Sequence, residues 1–188
     1  QFGFILGDVA GKGPPAALLA AMALGMFDSE SAHQSRCAPV LARLNRGVVN
    51  RGISGRFLTA FYATLAADGS LLFSNAGHNA PLLIGATEVR RLETGGLVLG
   101  MFEDATFEEE AVKLAPGDVI VAFSDGVSEA MNEADEEYTD ERLIAAVHAN
   151  HGCPPEALLE ALLADVRRFC GRATPNDDVT MVVVRYEG

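Results

Sequence analysis

The sequence contains no tryptophan, only three cysteines and no CxxC pair among its 188 residues. Cys37, Cys153 and Cys170 are far apart and odd in number, which excludes a dense disulfide framework or a thiolate zinc site. Reduced thiols in a cytoplasmic protein are therefore expected. No stretch has the length and apolarity of a transmembrane helix, and no signal-peptide pattern is present, so no membrane contact by this domain is expected.

Basic residues are also scarce, with 14 Lys and Arg against 26 Asp and Glu and a formal net charge of -12. Nucleic-acid binding relies on clustered Lys and Arg, so a nucleic-acid partner is excluded. The acidic excess suits a protein that concentrates cations where carboxylates converge, although ordinary solubility explains the same excess. Hydrophobic residues make up 49% of the chain, which is enough for a sizeable core.

Apolar runs divide the chain into short strands and a few helices without a repeat or an interdomain linker. The chain has no initiator Met and starts inside an apolar run, so we expect a domain cut from a longer protein. The turn pair Asp68-Gly69 between two such runs predicts a hairpin. Strands are predicted over 2–6, 58–66, 71–74, 81–84, 88–92, 106–114, 119–123 and 179–186. Helices are predicted over 14–27, 39–50, 140–149 and 154–170, with an acidic loop over 124–137. The result is an α+β domain.

The stretch GDVAGKGPP at residues 7–15 has the strand, glycine loop and helix setting of a phosphate-binding loop. A P-loop requires GxxxxGK followed by Ser or Thr. Here only three residues separate Gly7 from Gly11, and Lys12 is followed by Gly13, so the hydroxyl that would bind Mg²⁺ is missing. The sequence therefore argues against nucleotide binding at this loop.

Three acidic sites lie at the ends of apolar strands: Asp8, Asp125 and the pair Asp177-Asp178. If the last strand is antiparallel to the other two, all three sites meet at one sheet edge, where a cation would offset their repulsion. Carboxylate and backbone oxygens suit Mg²⁺ or Mn²⁺ better than Zn²⁺. Each site taken alone has a second explanation, because Asp is common in turns and at strand starts.

Seven blocks in order carry a family resemblance: GDVAGKGPPAALLAAM, FLTAFYATL, SNAGHNAPLL, LVLGMF, VIVAFSDGVSEA, ERL and NDDVTMVVV. They resemble the motifs of SpoIIE/RsbU-type bacterial serine/threonine phosphatases, a branch of the PP2C-like (PPM) phosphatases. The resemblance implies an α+β, PP2C-like α/β-β/α sandwich of two antiparallel sheets flanked by helices. It also implies one SpoIIE/PP2C-like domain over 1–188 that is N-terminally truncated and lacks the first strand with its acidic motif.

The resemblance further implies a metal-dependent protein phosphatase with two Mn²⁺ or Mg²⁺ ions and a metal-activated water. Asp8, Asp125 and Asp177 match the family's catalytic aspartates and metal ligands. The backbone carbonyl of Val9 matches a further metal ligand, and Asp178 occupies a neighbouring, optional ligand position. No covalent phospho-enzyme is implied.

Partners follow from the same resemblance. The substrate is expected to be a phosphorylated regulatory protein, a STAS-type anti-sigma-factor antagonist, in stress-response signalling. A sensor or receiver domain is expected upstream in the full-length chain, and a homodimer is compatible with the family. The alternative is a non-catalytic PP2C-like binding or scaffold domain in a signalling protein.

Three positions depart from the wider family. The acidic GGDxxD-like motif expected upstream of Asp8 is not in this sequence. Ala10 stands where eukaryotic relatives carry a histidine general acid, so water or another group must protonate the leaving oxygen. The block at 97–100 reads LVLG, without the family's proline. His78 is interpreted as part of a structural turn rather than as a base, because a lone loop histidine is weak evidence for catalysis.

Overall fold

The computed structural model describes residues 1–51, 55–86, 88–174 and 177–188. Asn176 of the predicted ligand block NDD lies outside these residues. The chain folds into two compact units. The first unit comprises residues 1–80 and 92–114, and the second unit comprises 81–91 and 115–188. A single domain over 1–188 stays a prediction.

The described residues form nine strands and five helices in the following order. They are β1 (Phe2–Val9), α1 (Pro14–Ser31), α2 (Cys37–Asn50), β2 (Leu58–Leu65), β3 (Ser70–Ala76), β4 (Leu82–Ile84), β5 (Val89–Arg91), β6 (Gly95–Gly96), β7 (Glu110–Lys113), β8 (Val119–Phe123), α3 (Asp125–Ser128), α4 (Thr139–Ala149), α5 (Pro155–Cys170) and β9 (Met181–Arg185). Among the described helices, none combines the length and apolarity that crossing a bilayer requires.

The first unit is a sheet with two helices on one face. Strands β1, β2 and β3 are antiparallel neighbours, and β7 pairs antiparallel with β3. The two-residue strand β6 pairs parallel with β3 and is the exception in an otherwise antiparallel sheet. Helices α1 and α2 cover the face that carries Ala60 and Tyr62, and α2 contributes the buried residues Val40, Leu41 and Leu44.

The second unit is an antiparallel sheet in the order β5-β4-β8-β9, with a core that includes α4 and α5. Helix α5 presents one apolar stripe, and its members Leu158, Leu162 and Val166 are buried against the core. The helix begins after Pro154, with Pro155 in its first turn, and ends at Gly171, which has a φ of 59°. Both ends agree with the sequence prediction because proline and glycine set the local backbone there.

The largest differences from the predicted extents are at four places. Strand β1 continues to Val9 because its register with β2 runs unbroken from Phe2↔Leu65 to Val9↔Leu58. Helix α1 extends to Ser31 through a polar segment predicted as a break. The predicted strand over 106–114 is limited to Glu110–Lys113, the residues that pair with β3. The predicted acidic loop contains the short helix α3 directly after β8.

Candidate metal centre

Asp8 lies on the face of the first unit's sheet that is opposite the helices. Its neighbour Val9 and the alternate residue Ile5 pack into the helix-covered cluster, so Asp8 projects from the other face. The Asp8 side chain is exposed, and its Oδ1 accepts a hydrogen bond from the backbone N–H of Val9 at 2.8 Å. Directly opposite Asp8 on β2 is Thr59. The carboxylate thus has a defined orientation at the end of β1.

Gly7 allows β1 to approach β2 closely beside this carboxylate. A Cβ at Gly7 would lie 2.6 Å from the backbone oxygen of Thr59, closer than real Cβ contacts. The contact between the two chain segments continues beyond β1, because the N–H of Ala10 donates to the backbone oxygen of Phe57 at 2.9 Å. Arg56 Nη1 donates to the Ala10 oxygen, also at 2.9 Å. Gly7 therefore serves the close backbone packing of β1 on β2.

Asp125 begins α3 immediately after β8, and its Oδ1 accepts the N–H of Gly126 at 2.8 Å. The preceding residue, Ser124, ties this strand end to the segment before β9. Ser124 Oγ donates to the backbone oxygen of Asp178 at 3.0 Å and accepts the N–H of Thr180 at 3.1 Å. The N–H of Ser124 donates to the Thr180 oxygen at 3.0 Å. The buried side chain of Ser124 therefore holds the segment from Asp178 to Thr180 beside the end of β8.

Asp125 and Asp177 line the same cavity of about 360 Å³ in the second unit. Asp177 Oδ1 accepts the N–H of Asp178 at 2.9 Å, which orients the Asp177 carboxylate as the neighbouring amides orient Asp8 and Asp125. The cavity also has Glu129 and Arg167 in its lining. Asp178 contributes its carbonyl to Ser124.

The predicted convergence of three acidic sites at one sheet edge holds for two of them. Strands β8 and β9 are antiparallel neighbours, which brings the segments of Asp125 and Asp177 to the same end of one sheet. Asp8 and Val9 are on β1, which belongs to the other sheet. The sequence alone could not assign these strands to different sheets, because strand pairing depends on contacts distant along the chain.

The donor types fit a hard divalent cation. Carboxylate and carbonyl oxygens are the ligands that Mg²⁺ and Mn²⁺ prefer. In Asp8, Asp125 and Asp177 the adjacent backbone amide donates to one carboxylate oxygen and so restricts the orientation of the group. Within the described residues, no three His, Cys, Asp or Glu side chains form a group that could hold a metal ion. The residue types therefore fit such an ion, and Asp125, Glu129 and Asp177 all line the second unit's cavity.

Sequence comparison identifies the family. The family profile described as Stage II sporulation protein E (SpoIIE) matches residues 1–187. The chain belongs to the SpoIIE family. It is 36% identical over 131 residues to phosphoserine phosphatase RsbU of Bacillus subtilis, covering 68% of this chain and 39% of RsbU. The chain thus spans well under half of that relative's length.

Solved structures show that this SpoIIE-family chain has the PP2C-like fold. The SiaA-PP2C domain of Pseudomonas aeruginosa superposes with a TM-score of 0.87 at 22% identity, covering 98% of this chain and 76% of that one. The catalytic domain of the serine/threonine protein phosphatase PstP, solved with 2 manganese ions, superposes with a TM-score of 0.70 at 14% identity. The coverage is 99% of this chain and 88% of PstP's. The predicted family and fold class are confirmed.

Three features near the candidate ligands of this SpoIIE-family chain were not predicted from the sequence. Ser124 joins the two acidic segments, Arg167 lines their cavity, and Thr59 lies opposite Asp8. Arg167 reaches the cavity because α5 packs against the core of this unit, and no local pattern in the sequence indicates that packing partner. Ser124 and Thr59 depend on strand register, which gives no local signal.

Proposed function

We propose that this chain is the catalytic domain of a metal-dependent protein serine/threonine phosphatase. The observation that carries the proposal is the shared cavity of Asp125 and Asp177, two carboxylates on the connected ends of β8 and β9. Carboxylates that line one cavity are the ligand type that Mg²⁺ and Mn²⁺ prefer, so a metal-binding role accounts for their shared position. Membership of the SpoIIE family supports the same reaction class.

Two Mn²⁺ or Mg²⁺ ions are the proposed cofactor, held by Asp8, the carbonyl of Val9, Asp125 and Asp177, with Asp178 as a neighbouring optional ligand. When bound, such ions lower the pKa of a water molecule and neutralise phosphoryl oxygens. The protein's part is to hold the carboxylates in fixed orientations. The amide hydrogen bonds to Asp8, Asp125 and Asp177 perform that function, because each restricts rotation of its carboxylate.

Arg167 is the residue we assign to the phosphoryl group of the substrate. Its side chain is exposed at the cavity that contains Asp125 and Asp177. Phosphoryl transfer is catalysed chiefly by positioning and by cationic groups that stabilise the phosphoryl oxygens. Its neighbour Arg168 instead donates to Asp165 at 2.9 Å and lines a different groove. The two arginines therefore form a natural pair for comparison.

The substrate we propose is a phosphoserine or phosphothreonine on a regulatory protein, specifically a STAS-type anti-sigma-factor antagonist. The similarity to a phosphoserine phosphatase supports the phosphoserine part of this proposal. The full-length chain is proposed to carry an upstream sensor or receiver domain and to act in the cytoplasm, with a homodimer as its expected assembly. These assignments rest on the family and extend beyond the residues described above.

The test is Mn²⁺-dependent hydrolysis of p-nitrophenyl phosphate and of a phosphorylated STAS-domain protein by the full-length chain. Asp8→Asn, Asp125→Asn and Asp177→Asn should each lower kcat by about a hundredfold or more, since each removes a charge from the proposed site. Asp28→Asn, on the exposed face of α1, should leave kcat unchanged. Full activity in the Asp8→Asn, Asp125→Asn double variant would refute the proposal. Partner binding without Mn²⁺ binding or hydrolysis would favour the scaffold alternative.

A further inference from the structure

A hydrogen-bonded pair of side chains lies beside Asp8 in the first unit. Thr59 is the residue directly opposite Asp8 in the β1–β2 register. Thr59 Oγ1 is 2.9 Å from Nδ1 of His78. Directly opposed residues of antiparallel strands share a face, with Cβ atoms roughly 4.5–5.5 Å apart. The hydroxyl that contacts His78 is therefore on the same face as the Asp8 carboxylate and adjacent to it.

The turn around His78 is closed without the imidazole ring. The N–H of His78 donates to Asn75 Oδ1 at 2.7 Å, and Asn75 Nδ2 donates to the His78 oxygen at 3.0 Å. Gly77 supplies the positive φ of 67° that the turn requires, and it lies against Val98. A purely structural turn is complete with these contacts. The buried ring of His78 makes its contact with Thr59 in addition to them.

We propose that Thr59 and His78 are positioning residues for the Asp8 carboxylate, an inference that rests on the proposed function. With a proton on Nδ1, His78 donates to Thr59 Oγ1, and the threonine hydroxyl hydrogen is then directed to another acceptor. The Asp8 side chain is directly opposite Thr59 in the strand register, and its Oδ1 already accepts the Val9 amide. The second carboxylate oxygen is thereby held for a metal ion, as hydrogen-bonded carboxylate ligands generally are.

The experiment measures Mn²⁺ binding by calorimetry on the full-length chain, with kcat and KM for p-nitrophenyl phosphate measured in parallel. Thr59→Val removes the hydroxyl but keeps the shape, and it should raise the Mn²⁺ dissociation constant about tenfold or more. Thr59→Ser keeps the hydroxyl and should stay within about twofold of wild type. His78→Asn, which retains a hydrogen-bonding group near Nδ1, should bind Mn²⁺ more tightly than His78→Ala.

The matched control is Thr64→Val on the same strand. Thr64 is buried and on the opposite face of β2 from Thr59, so it is away from Asp8. It should leave Mn²⁺ affinity unchanged. Wild-type affinity in folded Thr59→Val and His78→Ala, or an equal loss in Thr64→Val, would overturn the inference.

The same experiment separates this inference from the proposed function. A wild-type chain that binds Mn²⁺ but hydrolyses no phosphoester would refute the phosphatase, while the dissociation constants still decide the role of Thr59 and His78. A wild-type chain that hydrolyses substrate with no loss of Mn²⁺ affinity in the Thr59→Val variant would refute the positioning role alone. A chain that binds neither Mn²⁺ nor Mg²⁺ would overturn both.

Discussion

The hydroxyl of Tyr138 donates a hydrogen bond to Oδ2 of Asp165 at 2.7 Å, which connects the residue before α4 to the middle of α5. The other oxygen of Asp165 accepts from Arg168 at 2.9 Å. Burial raises the pKa of Tyr138, and the Asp165 carboxylate raises it further. The phenol therefore stays protonated and remains a donor throughout the working pH range.

Tyr138→Phe should lower the free energy of unfolding by about 2 kcal/mol, because it removes a buried hydrogen bond to a charged group. The matched control is Tyr62→Phe. Tyr62 is also buried, and within the described residues its hydroxyl makes no hydrogen bond, so this change should cost about 0.5 kcal/mol or less. Urea denaturation measures both. Equal losses in the two variants would contradict a specific role for the Asp165 contact.

Gly126→Ala should lower Mn²⁺ affinity about tenfold or more, because the segment of Asp177 and Asp178 has to move to accommodate the new side chain. A Cβ at Gly126 would lie 2.4 Å from the backbone oxygen of Asp178, and backbone cannot rotate away as a side chain can. Gly152→Ala is the control, since a Cβ there meets nothing within 4 Å. Calorimetric titration of both variants should show the loss in Gly126→Ala alone.

Arg167→Ala should weaken competitive inhibition by inorganic phosphate about tenfold, the effect of losing one charge-assisted hydrogen bond to phosphate. Arg168→Ala should leave the phosphate inhibition constant unchanged, because Arg168 pairs with Asp165 on another groove. Steady-state kinetics with p-nitrophenyl phosphate provide both constants. Identical constants for Arg167→Ala and wild type would remove Arg167 from the proposed substrate site.

The thiol of Cys37 should resist labelling in the folded protein. Burial raises its pKa from 9.0 to about 12, and the side chain is fully buried. A disulfide reagent at about pH 8, just below the usual thiol pKa, should label the half-buried Cys153 and Cys170 and reach Cys37 only after unfolding. Rapid labelling of all three cysteines before the unfolding transition would contradict this expectation.

The same shift predicts an alkaline effect on stability. A raised folded-state pKa contributes stability that is complete below pH 9.0 and is lost as pH rises through about 12, because only the unfolded chain ionises the thiol in that interval. Wild-type stability should therefore fall relative to Cys37→Ala across that range. The packing loss in Cys37→Ala is independent of pH, so the slope of the difference isolates the titration.

Local sequence signals predicted the elements whose geometry is local. The Asp68-Gly69 turn joins β2 and β3 as expected, with Gly69 at a φ of 83°. The helix predicted over 154–170 is α5, Pro155–Cys170, with Leu158, Leu162 and Val166 buried. By contrast, β6 consists of two glycines, and glycine is depleted in β-strands, so residue type did not predict this strand. A Cβ at Gly95 would lie 1.8 Å from the oxygen of Asn75, so close backbone approach defines that strand, not side-chain pattern.

The same difference between local and long-range signals applies to the candidate site. An Asp-Gly after one apolar strand and an Asp-Asp before another indicated Asp125 and Asp177, and the pairing of β8 with β9 brings their segments together. The roles of all five proposed ligands stay predictions. Thr59 and His78 were not recognised as a pair because 19 positions separate them, and only the register of β1 on β2 relates them to Asp8.

Gly7 also helps to fix the register of β1 on β2. Side chains alternate across a strand. A slip of β1 by one residue would therefore move Asp8 to the helix-covered face of the sheet and Val9 to the opposite face. The same slip would move Leu6 or Asp8 to the place of Gly7, where a Cβ lies 2.6 Å from the Thr59 oxygen. The glycine before Asp8 therefore acts as an alignment check: the misaligned pairing that would bury the carboxylate is also the one that the backbone rejects.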